Sequence, residues 1–244
     1  MNLVRAELLK LRTVRSNVVM IVLAVAFGIG FSVLVPLIVP KGENGVEPGV
    51  DLFPLALAGL GIAQALCGVL GILVMAQEHR YTMRVTFAAE PRRWRVLAAK
   101  AVAVTIVVSA IAVVVVVVGL VAGGAVLDAR GFPLDTGSGF WRATAGAVVS
   151  TVLQALVGLG FGAIVPSAAA AITVYVVWPL VVEPIVQAVL PEVGKWLPFA
   201  ALAEMWVKEP LEAGLGQPLA WAYSLAAAIV ALVAGSWLTS VRDA

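Results

Sequence analysis

The sequence predicts an all-α, polytopic membrane protein with six transmembrane helices in a single domain, residues 1–244. Of the 244 residues, 62% are hydrophobic and only 12% are charged, about half the charged share of a soluble domain. A water-soluble core of this size could not bury so much apolar side chain. Six apolar segments reach the roughly 20 residues that cross a bilayer as a helix. They lie at about 17–39, 52–76, 101–127, 143–165, 168–190 and 219–239.

Three of these assignments need separate justification. The third contains the β-branched block from Val113 to Val118, which we assign to a helix because a strand with unpaired edges is excluded from lipid. The apolar stretch 143–190 is about twice the length of one span, and Pro166 and Ser167 divide it near the middle. The apolar core of the first segment is longer than that of a signal peptide, so we expect it to remain as a span.

The distribution of positive charge predicts that both termini are cytoplasmic. Most of the 16 Lys and Arg residues precede the first segment, lie between the second and third, or follow the last. Positively charged loops stay on the cytoplasmic side of a membrane. Both termini then share one side, as six spans require.

Composition also argues against several functions. The net charge of +2 gives no reason to expect a nucleic-acid partner. One histidine, His79, and one cysteine, Cys67, leave little from which to build a metal site or a nucleophilic centre. The phosphate-binding pattern G-x-x-x-x-G-K-[ST] does not occur in the sequence. We therefore expect no enzyme activity and no cofactor bound by this chain.

The stretch 77–100 between the second and third segments is basic and longer than a minimal turn. Arg80, Arg84 and Phe87 share one helical face, and Pro91 ends that helix. One interpretation is a positive-inside clamp whose arginines contact anionic lipid headgroups. The other is a docking helix for a soluble partner, for which the additional Thr82 and Phe87 are better suited.

Short motifs near the N-terminus and in this basic stretch resemble those of ABC-2 type permeases, especially small actinobacterial ones. They are RAELLKLRTVRS at 5–16, EHR at 78–80, TMR at 82–84, AAEPRRW at 88–94 and AAK at 98–100. They comprise 28 residues, and the six-span layout extends the likeness along the chain. One departure is Tyr81, since such permeases often have glycine just before the threonine.

The resemblance implies the membrane half of an ATP-driven exporter in a bacterial inner (plasma) membrane. An N-terminal interfacial helix from Glu7 to Arg15 and a cytoplasmic coupling helix from Glu78 to Phe87 would contact a separate nucleotide-binding ATPase carrying Mg-ATP. A short re-entrant element, Trp196 to Trp206, would precede the last span. The residues expected to dock the ATPase are Glu7, Lys10, Arg12, Glu78, Arg80, Thr82, Arg84, Phe87 and Arg92.

The residues themselves leave the role of the N-terminal stretch open. Glu7 and Lys10 can pair at i, i+3, as in a helix at the membrane surface. The alternative is a charged segment that only precedes the first span. A second permease copy is expected, because one six-span half offers little room for a pathway between two such halves.

Polar residues inside the spans are candidates for a transport pathway. Glu183, flanked by Pro179 and Pro184, lies within the fifth segment, and an intramembrane acid indicates a functional site by default. Alternatively, its side chain reaches the outer interface or pairs with Arg142 or Lys195. Gln64 and Gln154 are weaker candidates, because a glutamine often only bonds a neighbouring helix.

Small residues at four-residue spacing indicate close helix packing, either within the chain or with a second copy. They are Gly119 with Gly123, Gly158 with Gly162, and Gly61 with Ala65. The competing functions are an ATP-independent secondary transporter and an intramembrane enzyme. A secondary transporter would need embedded ion ligands and usually repeats. An intramembrane enzyme would need paired acids, histidines or cysteines inside the spans.

Overall fold

The computed structural model describes residues 2–40, 51–81, 93–208 and 214–242, and the regular structure in these ranges is helical. In chain order the elements are α1 (Asn2–Thr13), α2 (Arg15–Ile38), α3 (Phe53–Ala56), α4 (Leu60–Tyr81), α5 (Arg93–Ala129), α6 (Phe140–Ile164), α7 (Ala168–Val177), a π-helical turn (Trp178–Val182), α8 (Glu183–Val189), α9 (Pro191–Gly194), α10 (Pro198–Glu204) and α11 (Gln217–Arg242).

Six stretches in the described residues are long and apolar enough to cross a membrane, which confirms the predicted number of spans. They are Arg15–Ile38, Leu60–Gln77, Trp94–Ala129, Phe140–Ile164, Ala168–Val189 and Gln217–Thr239. The fifth, called span five below, comprises α7, the π-helical turn and α8. The 37 residues of α5 measure about 55 Å at 1.5 Å per residue, so this helix extends well beyond a hydrocarbon core about 30 Å thick.

The second span starts later than the sequence predicts. Residues 52–59 form the short helix α3 and a turn, and α4 begins at Leu60. The Asp51 carboxylate accepts a hydrogen bond from the Phe53 backbone N–H at 3.0 Å, at the start of α3. A Cβ on Gly59 would lie 2.0 Å from the Gly28 carbonyl oxygen, so the turn fits tightly against α2.

Span five is loosened at its prolines, as the sequence indicates. The Glu183 N–H bonds the carbonyl of Trp178, which widens one turn into a π-helix. Pro179 and Pro184 contribute no N–H to the helix. The widened turn directly precedes the Glu183 side chain.

The bundle has two distinct ends. The near end comprises α1, the start of α2, the end of α4 and the start of α5. Here the Gln77 side chain donates to Asn17 Oδ1 at 2.8 Å. The C-terminal part of α11 lies at the same end, because Ala231 contacts Gly160 near the end of α6. Both chain ends therefore lie at one end of the bundle.

The far end comprises α3, α9, α10 and the connections around them. Arg130, just after α5, donates to the carbonyls of Leu37 and Val39 at the end of α2. Lys208 Nζ donates to Asp135 Oδ2 at 2.6 Å, and this hydrogen bond lowers the pKa of the Asp135 carboxyl. These contacts link successive connections of the far end to one another.

The small-residue motifs serve packing within the chain in two of the three cases. Gly158 and Gly162 of α6 face Gly68 and Ile72 of α4. The other pair packs on α2, on α3 and on the turn that follows α3: Gly119 faces Ser32 and Leu57, and Gly123 faces Ser32 and Ala56. Gly61 differs, since a Cβ there would meet nothing within 4 Å.

We expect Gly158→Ala to destabilise the bundle by about 2 kcal/mol, because overpacking a tight contact typically costs that much. The added Cβ would lie 2.1 Å from the Gly68 carbonyl oxygen, so α4 and α6 must separate. Gly61→Ala is the matched control and should be neutral or slightly stabilising. Detergent-induced unfolding of the two variants measures the difference, and equal stability would contradict the packing described here.

Candidate functional site

A cavity of about 620 Å³ lies between α4, α6, span five and α10. Gln64, Gln154 and Glu183, the three polar residues that the sequence singles out inside the spans, all line it. Ile62 on α4 and Leu180 in span five lie on its rim and are 37% and 70% exposed. The cavity therefore opens at the side of the bundle, between α4 and span five.

Gln64 joins two walls of the cavity. Its Nε2 donates to Ser150 Oγ on α6 at 2.8 Å, and its side chain is buried. The Ser150 hydroxyl in turn donates to the Ala147 carbonyl at 3.3 Å. This chain of hydrogen bonds fixes the Gln64 amide against α6.

Gln154 is also buried, but its side-chain oxygen Oε1 has no hydrogen-bond partner. Its backbone carbonyl accepts a bond from the Tyr175 hydroxyl at 3.1 Å, which joins α6 to span five. Trp206 also lines the cavity, and its indole Nε1 is likewise buried and unpartnered. Two side chains that line the cavity thus each keep one buried polar atom whose hydrogen bond is not made within the described residues.

Glu183 is 2% exposed and caps the start of α10. Its Oε1 accepts from Trp178 Nε1 at 3.0 Å and from the Phe199 N–H at 3.1 Å. Its Oε2 accepts from the Ala200 N–H at 2.9 Å. Three donors stabilise the buried carboxylate, and the bonds tie span five to the segment before the last span.

The cations that the sequence offers as partners for Glu183 are both engaged elsewhere, so that pairing is wrong. The Arg142 side chain donates to the backbone carbonyls of Val207 and Lys208. Lys195 forms an ion pair with Glu192. Backbone N–H groups at a helix start replace them, which sequence spacing alone does not reveal.

The segment Trp196 to Trp206 contains one short helix, α10, and Pro198 begins this helix instead of breaking it. Proline suits the first helical turn because its missing N–H would be unpaired there in any case. Glu204, at the end of α10, accepts from the N–H groups of Leu215 and Gly216, both at 2.8 Å. Its buried carboxylate therefore caps the start of α11, a role not predicted from the sequence.

At the near end, Glu7 is buried and forms two ion pairs. Its Oε1 lies 2.6 Å from Lys10 Nζ, the i, i+3 partner predicted from the sequence, and its Oε2 lies 2.7 Å from Lys100 Nζ. Burial acts to raise the pKa of Glu7, but Lys100 and Lys10 outweigh it and lower that pKa below 4.5. Lys100, itself 1% exposed, also donates to the Val74 carbonyl at 3.4 Å.

Only some of the remaining docking candidates lie within the described residues. Arg12 is exposed on α1, and Glu78 and Arg80 lie in the last turn of α4. Four further candidates lie outside the described residues: Thr82, Arg84, Phe87 and Arg92. The structure thus places the start of α5, which follows the segment 82–92, beside α1, and Lys100 connects both to α4 at Val74.

The fold and the cavity define a multi-pass helical membrane protein with a side-opening cavity. Within the described residues, no group of three or more His, Cys, Asp or Glu could hold a metal ion. No family model matches the sequence. No curated protein matches it either.

Proposed function

We propose that this chain is the membrane-spanning permease subunit of an ABC exporter. A separate ATPase subunit binds at the near end, pushes on the segment 78–87, and drives an amphiphilic or lipid-like substrate outward. The observation that carries the proposal is the buried ion pair between Glu7 and Lys100. It attaches α1 to α5, and Lys100 also bonds α4, so the two helices that flank the proposed docking segment form one unit with α1.

The helix packing connects this unit to the cavity, so that a movement of the unit would be transmitted to the cavity wall. α4 runs from the near end to Gln64, and it is held tightly against α6 where Gly68 meets Gly158. These two helices form one side of the cavity, whereas span five and α10, joined through Glu183, form the other. A displacement of α4 and α6 relative to span five would change the width of the cavity. Tyr175 is the hydrogen-bonded link between the two sides.

Cytoplasmic termini would place the near end inside the cell and the cavity toward the outer half of a bacterial plasma membrane. Gln64 lies about 6 Å along α4 from Leu60, at the far end. Glu183 lies about 9 Å from the end of span five at Val189. A substrate taken up from the bilayer would then leave on the outer side, and a second permease copy would complete the transporter.

The direct test is copurification of an ATPase with the tagged chain after gentle detergent extraction. We expect Arg84→Glu with Phe87→Ala to insert normally but to lower ATP-driven export at least about tenfold, because reversed charge and lost apolar contact weaken docking. Arg95→Glu is the matched control, because it makes the same charge change at an exposed residue of α5 that lies outside the proposed docking set.

Export is measured in vesicles supplied with ATP, and insertion is checked by membrane fractionation. Normal export by the double variant would refute the docking assignment. Transport driven by an ion gradient without any ATPase would instead identify a secondary transporter.

A further inference from the structure

The side-opening cavity is elongated along the bundle. In span five its lining extends from Tyr175 to Gln187, a length of about 18 Å at 1.5 Å per residue. On α4 it extends from Gly61 to Val69, a length of about 12 Å. One leaflet of a bilayer contains about 15 Å of hydrocarbon. The cavity is therefore about as long as one lipid leaflet is thick, and it runs in the same direction as the spans.

Most of the described lining is apolar. It includes Leu66 and Val69 on α4, Val176 in span five and Phe199 on α10. The volume of about 620 Å³ is in the range that holds a drug-sized ligand. Because the opening is at the side of the bundle, a hydrocarbon chain can enter from the bilayer without crossing water.

The polar groups inside the cavity provide no site for a charged headgroup. The Gln64 amide bonds Ser150, and the Tyr175 hydroxyl bonds a backbone carbonyl. Gln154 is 8% exposed and adds little polar surface. Glu183 is the only charged residue in the described lining, and its carboxylate accepts three N–H donors. A phosphate would find no cation here, and an ammonium would compete with those donors, so a headgroup must remain outside.

The mouth of the cavity carries an exposed amide, that of Gln187. It lies about 3 Å along the helix from the end of α8 at Val189, and its amide makes no hydrogen bond to another described residue. A Cβ on Gly194 would lie 2.7 Å from Gln187 Cα and 2.8 Å from its Cγ, so α9 packs against the stem of the side chain. The amide is left to donate a hydrogen bond to a ligand at the end of the span, where the hydrocarbon of a lipid meets its ester groups.

We propose that the cavity binds one acyl chain of a phospholipid from the leaflet on the far-end side of the membrane. The chain lies between α4 and span five, the Gln187 amide donates to its ester carbonyl, and the headgroup remains at the membrane surface. Binding requires neither an ATPase nor ATP. That such a phospholipid is the exported substrate rests on the proposed function.

Gly61 offers a direct test, because it lines the cavity and a Cβ there would meet nothing within 4 Å. Gly61→Leu places an apolar side chain at the mouth, where it competes with the acyl chain. Gly30→Leu is the matched control, since Gly30 on α2 is also exposed and in open space but is not part of the lining. Both variants are therefore expected to fold.

The purified chain is delipidated in detergent and titrated with dioleoylphosphatidylcholine, and native mass spectrometry measures the bound lipid. Wild type and Gly30→Leu should bind one phospholipid with the same Kd. Gly61→Leu should bind it at least about tenfold more weakly, because the added side chain occupies the same space.

A second comparison tests the amide of Gln187. The diether analogue of the same phospholipid has equivalent chains and the same headgroup but no ester carbonyl. Wild type should bind the diester about fivefold more tightly than the diether, because only the diester accepts the bond at its carbonyl. Gln187→Leu should bind the two lipids equally.

Three results would overturn the inference. Equal binding by Gly61→Leu and Gly30→Leu would place the phospholipid outside the cavity. Tighter binding of oleate than of the phospholipid would show a carboxylate site instead. A diester preference that is absent from wild type, or that persists in Gln187→Leu, would refute the contact at the mouth. Copurification of an ATPase without lipid binding would refute this inference and leave the exporter proposal intact, and the reverse result would refute only the exporter.

Discussion

Replacing Glu7 with Gln is expected to lower the free energy of unfolding by about 3 kcal/mol, because it removes the carboxylate that faces the buried Lys100. Both side chains are almost inaccessible, at 4% and 1% exposure. Lys10→Met is the matched control. It removes only the partner that is 40% exposed, so the expected loss is about 0.5 kcal/mol.

The double variant Glu7→Gln with Lys100→Met separates the contribution of the ion pair to stability from the contribution of side-chain packing. Removing both charges leaves no buried cation to desolvate, so we expect stability within about 1 kcal/mol of the wild type. Unfolding in mixed detergent micelles, followed by tryptophan fluorescence, measures all four proteins. Equal stability of Glu7→Gln and wild type would show that the pair does not hold α1 in place.

The same pair gives this prediction a pH dependence with a definite sign. The pKa of Glu7 is lower in the folded protein than the unfolded value near 4.5. The stability it contributes is therefore fully present above pH 4.5 or so and is lost as the pH falls through the lower folded pKa. Comparing wild type with the double variant from neutral to acidic pH isolates this loss, which should be absent from the variant.

Hydropathy could predict the number of spans because lipid leaves an apolar segment of that length few alternatives to a helix. It could not predict the turn at 52–59, because that turn depends on Gly59 packing against the Gly28 carbonyl. Such tertiary contacts leave no trace in local composition. The long helix α4 therefore begins at Leu60, and not at the predicted residue 52.

The candidate site was likewise only partly predictable from the sequence, because it too depends on tertiary contacts. Gln64, Gln154 and Glu183 stand out because polar side chains are rare in spans. Their convergence on one cavity depends on the rotation of each helix, which hydropathy does not specify. Lys100 carries no predicted ion pair, since its partner Glu7 lies 93 residues away in the chain. Trp206 gave no signal beyond its place beside a short apolar helix.

Replacing Glu183 with Ala is expected to release α10 and to lower the free energy of unfolding by about 3 kcal/mol. The substitution removes the acceptor for three hydrogen bonds and leaves the N–H groups of Phe199 and Ala200 and the Trp178 indole N–H without their partner. A lost bond to a charged group costs about 1.5–3 kcal/mol, and the three losses are not additive. Amide hydrogen exchange at Phe199 and Ala200 should accelerate well before global unfolding.

Two further variants separate the charge of Glu183 from its hydrogen bonds. Glu183→Gln keeps one acceptor oxygen but places an NH₂ group against a backbone donor, so we expect roughly half the loss seen with Ala. Glu192→Ala removes a carboxylate that is 88% exposed in the adjacent helix α9, and it should leave both stability and exchange unchanged. Protection of Phe199 and Ala200 that persists in Glu183→Ala would contradict the cap, because no other acceptor for these two N–H groups is present in the described part of the chain. Full loss of that protection with Gln as well as with Ala would show that one remaining acceptor oxygen is not enough to hold span five to the segment before the last span.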